Sequence, residues 1–125
     1  MFRYLGRLNI SLLGNRFGKI TTNDVVVTDE REEHIKSHHM EDYALLQQYA
    51  ESIVEDPDYL IEDVVNKTTV FMIKKLPDTN LNMVVKLVID SECEDRKNSV
   101  MTFYRIRTKN LEKLIKKNHH IYKKI

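Results

Sequence analysis

The 125-residue chain has a single cysteine, Cys93, and no apolar run that approaches the roughly 18 residues of a membrane span. One thiol excludes an internal disulfide and a cysteine metal cluster. The opening residues, Met1-Phe2-Arg3-Tyr4-Leu5-Gly6-Arg7, lack the apolar segment of a secretory signal, so a cytoplasmic protein with no membrane partner is expected. There is no repeat, no low-complexity tract and no linker. What is present is 42% hydrophobic and 31% charged residues, the composition of one globular domain with one modest core. That domain is expected to span 1–125, with 1–22 forming a strand and loop on its edge.

Net charge is +1, but it is unevenly spread. Residues 29–63 contain 12 acidic and 2 basic residues, a local net of −10. Residues 103–125 contain 8 basic residues and 1 acidic, a local net of +7. Such asymmetry suggests a polyanion-binding surface at the basic end, although a solvated helix face with a basic tail would read the same way.

Residues 3–10 alternate weakly and predict a strand, and 11–22, with Gly14 and Gly18, predict a loop with one turn. Val25, Val26 and Val27 are a β-branched run. A polar helix follows. Thr28 or Asp29 is its expected cap, with Asp29 and Glu32 spaced as a capping box, and Glu30 to Glu33 near the positive end of the helix dipole. In 41–54, Tyr43, Leu46, Tyr49, Ala50 and Ile53 recur at helical spacing. Pro57 ends that helix. Strands are predicted at 59–61, 68–74, 81–90, 99–106 and 119–125, a polar loop at 90–98, and a third helix at 108–117 with Leu111, Leu114 and Ile115 on its apolar face. Helices first and a strand meander after predict an α+β domain, with N-terminal helices packed on a curved antiparallel sheet.

The polar helix is short of apolar residues, Ile35 being the exception, yet it holds His34, His38 and His39, three of the five histidines. His34 and His38 share a helix face. A zinc site of the zincin form would need Glu where Ile35 stands, so metal binding is a weaker reading than surface histidines or acid–base chemistry. His39 lies about 140° round an ideal helix from His34, so the two converge only if the helix ends near Ser37. In the strand around 83–89, Lys86 interrupts an apolar run. It is either a solvent-facing residue or a cation held on a half-buried floor to meet a phosphate. Strict alternation in 99–105 places Val100, Thr102 and Tyr104 on one face and Ser99, Met101, Phe103 and Arg105 on the other.

The chain resembles the phage-associated nucleases of the barnase–EndoU–colicin–RelE-like fold, from about residue 5 to 124. The resemblance rests on Val26-Val27-Thr28-Asp29-Glu30-Arg31 followed by His34-Ile35, on His39, on Asp42-Tyr43 and on Asp56-Pro57-Asp58-Tyr59. It continues in Lys86, in Asn98-Ser99-Val100-Met101-Thr102-Phe103 and in Ile121-Tyr122-Lys123-Lys124. It implies an endoribonuclease fold that uses no metal or other cofactor, with His34, His39, Lys86 and Thr102 as the functional residues. The family often has Arg before its second histidine and Pro after it, where this chain has His38 and Met40. That leaves open which of His38 and His39 faces the site.

The leading expectation is therefore RNA cleavage by transesterification. His34 and His39 would form the acid–base pair, Lys86 would supply the cation and Thr102 an orienting hydroxyl. Arg31, His38, Ser99, Tyr104 and Arg105 are the nearest candidates for holding phosphate and base. The expected partners are RNA, with tRNA among the candidate targets, and a neutralising immunity or antitoxin protein, as for a toxin-like or mobile-element enzyme. Two other readings stand beside it: a non-catalytic RNA-binding module, and a protein-interaction domain of a mobile element.

Overall fold

The computed structural model describes residues 1–38, 40–89 and 97–125. The described residues form an α+β unit. Strands β1 (Phe2–Arg7) and β2 (Asp24–Thr28) are followed by helices α1 (Asp29–His38) and α2 (Met40–Glu55). The meander β3 (Tyr59–Glu62), β4 (Thr69–Lys75), β5 (Asn80–Lys86) and β6 (Asn98–Ile106) comes next, then α3 (Thr108–Lys117) and β7 (His119–Lys123). A 3₁₀ turn at Ile10–Leu13 supplies the turn expected in the first loop. The strands make one seven-stranded sheet in the order β1-β2-β6-β5-β4-β3-β7.

The sheet is mixed, which corrects the antiparallel expectation. β2 runs parallel to β6 through only two register partners, Val25 with Asn98 and Val26 with Ser99. The other neighbours are antiparallel. So short a ladder needs reinforcement, and Asn98 supplies it. Its side chain is fully buried. Oδ1 accepts the Val88 N–H at 2.8 Å, while Nδ2 donates to the carbonyls of Thr22 at 2.6 Å and Asp24 at 3.1 Å. Outside it, Lys97 pairs with Asp24 at 3.0 Å.

Alternation divides the apolar residues between two cores. On one face Ile35 of α1 and Leu46, Ala50, Ile53 and Val54 of α2 pack on Val25, Val27, Leu60, Met72, Met83, Val85, Val100 and Phe103. These are the positions that the 41–54 periodicity selects, with Tyr43 and Tyr49 at the margin. On the other face Leu111, Leu114 and Ile115 of α3 cover Ile61, Ile73 and Ile106. α3 thus sits opposite α1 and α2, an arrangement that its own periodicity could not show.

α1 is short of apolar residues because it is fastened by polar bonds. The cap is Thr28, whose hydroxyl accepts the Arg31 N–H at 3.1 Å. Asp29, the other candidate, instead donates its N–H to the Met1 carbonyl at 3.1 Å. Glu32 pairs with Arg3 of β1 at 2.7 Å and accepts the Tyr43 hydroxyl of α2 at 2.9 Å. That bond to a carboxylate, with burial and the Glu32 charge behind it, raises the Tyr43 phenol above its ordinary value. The polar loop expected at 90–98 lies largely outside the described residues.

Truncating Asn98 tests the reinforcement of β2 on β6. Asn98→Ala leaves one buried N–H and two carbonyls without their partner, and is expected to cost on the order of 3 kcal/mol. A urea titration reads this as a lower midpoint with an unchanged slope. A loss below about 1 kcal/mol would show that the amide is not what holds the two strands together.

Candidate functional site

The site begins with an irregularity in β6. Val85 is paired with Val100, and Val84 with Thr102, so Met101 is an extra residue in the ladder. A β-bulge of this kind reverses the alternation beyond it. Strict alternation separates Ser99 from Thr102 and Tyr104, and the bulge corrects that. Ser99 stands opposite Lys86, Thr102 opposite Val84 and Tyr104 opposite Asn82, all on the face turned away from α1 and α2. Val100 and Phe103 both enter the larger core. Arg105 follows Phe103 onto the helix side.

Lys86 is half-buried at the end of β5, with Ser99 beside it on β6 and Thr69 on β4. Cross-strand neighbours of this kind hold their Cβ atoms about 5 Å apart. The hydroxyl residues directly across the ladder are therefore Ser99 and Thr69, with Thr102 one pair further along. The ammonium is steered by the loop between β3 and β4. Nζ donates to the Lys67 carbonyl at 3.0 Å and to the Thr68 hydroxyl oxygen at 2.5 Å. Both are neutral oxygens. Among the described residues no carboxylate pairs with Lys86.

That loop is tightly made. Asp63 is buried, and its carboxylate accepts the Val65 N–H at 2.8 Å, the Asn66 N–H at 3.2 Å and the Asn66 amide at 2.9 Å. Burial, the largest influence, pushes the Asp63 carboxyl up, but these three donors outweigh it and hold the group below its ordinary value. Thr68 has φ of 60°, a left-handed conformation that costs a residue with a Cβ about 1 kcal/mol or more. Its carbonyl is fixed by the Leu87 N–H at 2.7 Å. Loop and sheet enclose a cavity of about 470 Å³, lined by Asp63, Asn66, Lys67, Thr69, Val84, Lys86 and Met101 among others.

The histidines stand elsewhere. His34 and His38 are exposed on α1, with their rings stacked at 4.3 Å between centroids. His38 Nδ1 lies 3.1 Å from the His34 carbonyl and 3.1 Å from the Ser37 hydroxyl, so its polar contacts are within its own helix. No residue of α1 lines the Lys86 cavity. α1 ends at His38 and α2 begins at Met40, while His39 itself lies outside the described residues. The structure therefore places Lys86, Ser99 and Thr102 on one face of the sheet, and leaves His34 and His38 outside the cavity that Lys86 lines. Among the described residues no group of three or more His, Cys, Asp or Glu side chains is arranged to hold a metal ion.

Among the expected binding residues, Arg105 has a structural task. Arg105 donates through Nε to Asp42 at 2.5 Å and through Nη2 to Glu41 at 2.9 Å. The bond to Asp42 is the main reason its guanidinium is held above its ordinary value. Arg105 thus pins the first turn of α2 to β6. Arg31 contributes its N–H to the Thr28 cap and is half-buried. Tyr104 is half-buried and accepts a bond from Asn82 Nδ2 at 3.0 Å. The residues that the sequence reading missed are Asp63, Lys67 and Thr68. Asn66 beside them is a turn former, the one local signal that could have marked the loop. Compared with known proteins, the chain matches no family model, no curated protein and no solved structure.

The loop's dependence on Asp63 has a sign. A carboxyl held low in the folded state adds stability above its unfolded value of about 3.9, and that stability is lost as pH falls through the lower folded value. Protection of the Val65 and Asn66 amides from hydrogen exchange, taken relative to their intrinsic rates, should fall on acidification in that window. At neutral pH, Asp63→Ala should lower it roughly tenfold, the worth of one bond to a charged acceptor. Unchanged protection in the variant would mean that the backbone alone shapes the loop.

Proposed function

We propose that the chain is a metal-independent endoribonuclease of the barnase–EndoU–colicin–RelE-like class, cleaving RNA through attack of a ribose 2′-hydroxyl on the adjacent phosphorus. The observation that carries the reading is Lys86, a half-buried cation beside a cavity, whose ammonium is met by neutral oxygens and by no described carboxylate. A positive charge held this way is suited to a phosphoryl oxygen that gains charge in the transition state. The Ser99 and Thr102 hydroxyls on the same face supply further donors to that phosphate.

In the reaction a base takes the 2′-proton as the 2′-oxygen bonds to phosphorus. The bond from phosphorus to the 5′-oxygen breaks, and an acid protonates the departing oxygen. The resemblance gives this pair to His34 and His39; His34 is on α1, packed on the sheet face opposite Lys86, so the assignment rests on the resemblance and not on the geometry. The products are a 2′,3′-cyclic phosphate and a 5′-hydroxyl. A non-catalytic RNA-binding module is the second reading, and the exposed position of His34 and His38 away from the Lys86 cavity favours it. Binding without cleavage would decide for it. A neutralising immunity or antitoxin protein belongs to the leading reading as an expected partner.

His34→Ala should slow cleavage by about a hundredfold to ten-thousandfold while the protein stays folded. Lys86→Ala should lower kcat with less effect on RNA affinity. Activity should survive EDTA, and a 2′-deoxy substitution at the cut site should block it. A folded His34→Ala protein with parental activity would refute the acid–base assignment. Loss of cleavage in EDTA, restored by a divalent ion, would replace the scheme with metal-assisted hydrolysis.

A further inference from the structure

A second cavity lies further along β6, where α3 packs beside the strand. It has a volume of about 530 Å³, and its polar lining comes from Tyr104, Arg105, Arg107, Asn110, Lys113 and Lys117. No carboxylate lines it. We propose that this cleft is a second subsite, which holds the phosphodiester backbone of single-stranded RNA flanking the scissile bond. It rests on the ribonuclease reading for its position, since it extends the same substrate, but its binding role can be measured without cleavage.

The first argument is charge. Several cations elsewhere on the described surface are paired with acids. Arg3 pairs with Glu32, Arg16 with Glu62, Lys97 with Asp24, and both Lys74 and Lys124 with Asp56. Within the cleft Arg105 is likewise neutralised by Asp42 and Glu41. No described carboxylate pairs with Lys113 or Lys117, and none lines the cleft that they share with Arg107. They form a locally uncompensated stripe at a concave surface, the footprint of polyanion binding.

The second argument is spacing. Asn110, Lys113 and Lys117 recur at three- and four-residue intervals, so they share one face of α3. Lys113 and Lys117 are separated by about 6 Å of helix rise, which suits successive phosphates of an extended strand. Tyr104 also lines the cleft, and an aromatic ring is a residue type on which a base can stack. The third argument is continuity. Tyr104 stands two residues beyond Thr102 on the same face of β6, about 7 Å along the strand. Lys86 and Asn82, the partner of Tyr104, are four residues apart on β5, about 13 Å, so RNA whose phosphate meets Lys86 reaches the cleft within about two nucleotides.

The geometry also separates lysines that the sequence alone groups together. Lys116 and Lys123 belong to the same basic region but do not line the cleft. This allows a test at constant charge. Fluorescence anisotropy of a single-stranded 2′-O-methyl RNA, which has no free 2′-hydroxyl to attack, is followed against salt. Lys113→Ala/Lys117→Ala should weaken binding about tenfold at moderate salt and reduce the slope of log K against log[salt] by about 1.4, two phosphate contacts for a single strand. Lys116→Ala/Lys123→Ala, with the same change in charge, should shift affinity less than about twofold and leave the slope nearly intact. With cleavable RNA the first pair should raise KM and spare kcat. Equal weakening by both pairs would reduce the cleft to diffuse attraction and overturn the proposal. So would a parent protein that ignores RNA but binds an acidic peptide or anionic vesicles. If the cleft pair alone weakens binding and no RNA is cut, the subsite stands and only the catalytic reading falls.

Discussion

The fold depends on a contact that regular secondary structure supplies thinly: the parallel meeting of β2 and β6. A parallel pair requires a crossover, and here the crossover contains both N-terminal helices and the strands β3 to β5. All the loop-closure entropy of that excursion is set against two register partners. The buried Asn98 amide resolves the imbalance, because one side chain satisfies three backbone groups at the junction. β1 then has a sheet edge to join, and α1, leaving the end of β2, is aimed across the core beside β6. Glu32 completes the clamp by bonding Arg3 on β1 and Tyr43 on α2.

β6 is also where the chain separates its structural cations from those left for a ligand. The bulge at Met101 lets Val100 and Phe103 both point into the core, while Ser99, Thr102 and Tyr104 all point away. A regular strand could not do this. Arg105, on the helix side, is neutralised by Asp42 and Glu41. Lys86, on the other side, is held by a carbonyl and a hydroxyl that leave its charge intact. A left-handed threonine in the β3–β4 loop is part of that arrangement, its local cost offset by Asp63 and by the Leu87 N–H.

Much of this was legible in the sequence where periodicity carried it. Leu46, Ala50 and Ile53 announced α2, and Leu111, Leu114 and Ile115 announced α3. Lys86 stood out because a charge in an apolar strand has few explanations. What could not be read were the features without a period. Two residues of parallel pairing leave no pattern, and a bulge inside 99–105 is hidden by residues that suit either face. Arg105 and Asp42 lie 63 residues apart, so nothing local predicted their bond. Thr28 rather than Asp29 caps α1 because the hydroxyl reaches the Arg31 N–H, a choice between two good caps that only geometry makes. The histidines were conspicuous by composition, yet their relation to Lys86 is a matter of which side of the sheet a helix presents.

The placement of α3 has a consequence for how the molecule comes apart. Its apolar contacts belong to the smaller core of Ile61, Ile73, Ile106 and Leu111, and none of the larger cluster's buried residues is on it. A helix attached this way can detach while Phe103, Met83 and the residues of α2 keep their packing. Local opening of the C-terminal segment and cooperative loss of the sheet are then separate events with separate free energies. The basic residues of α3 are thus carried on the smaller core, while Lys86 stands on β5, whose Met83 and Val85 belong to the larger one.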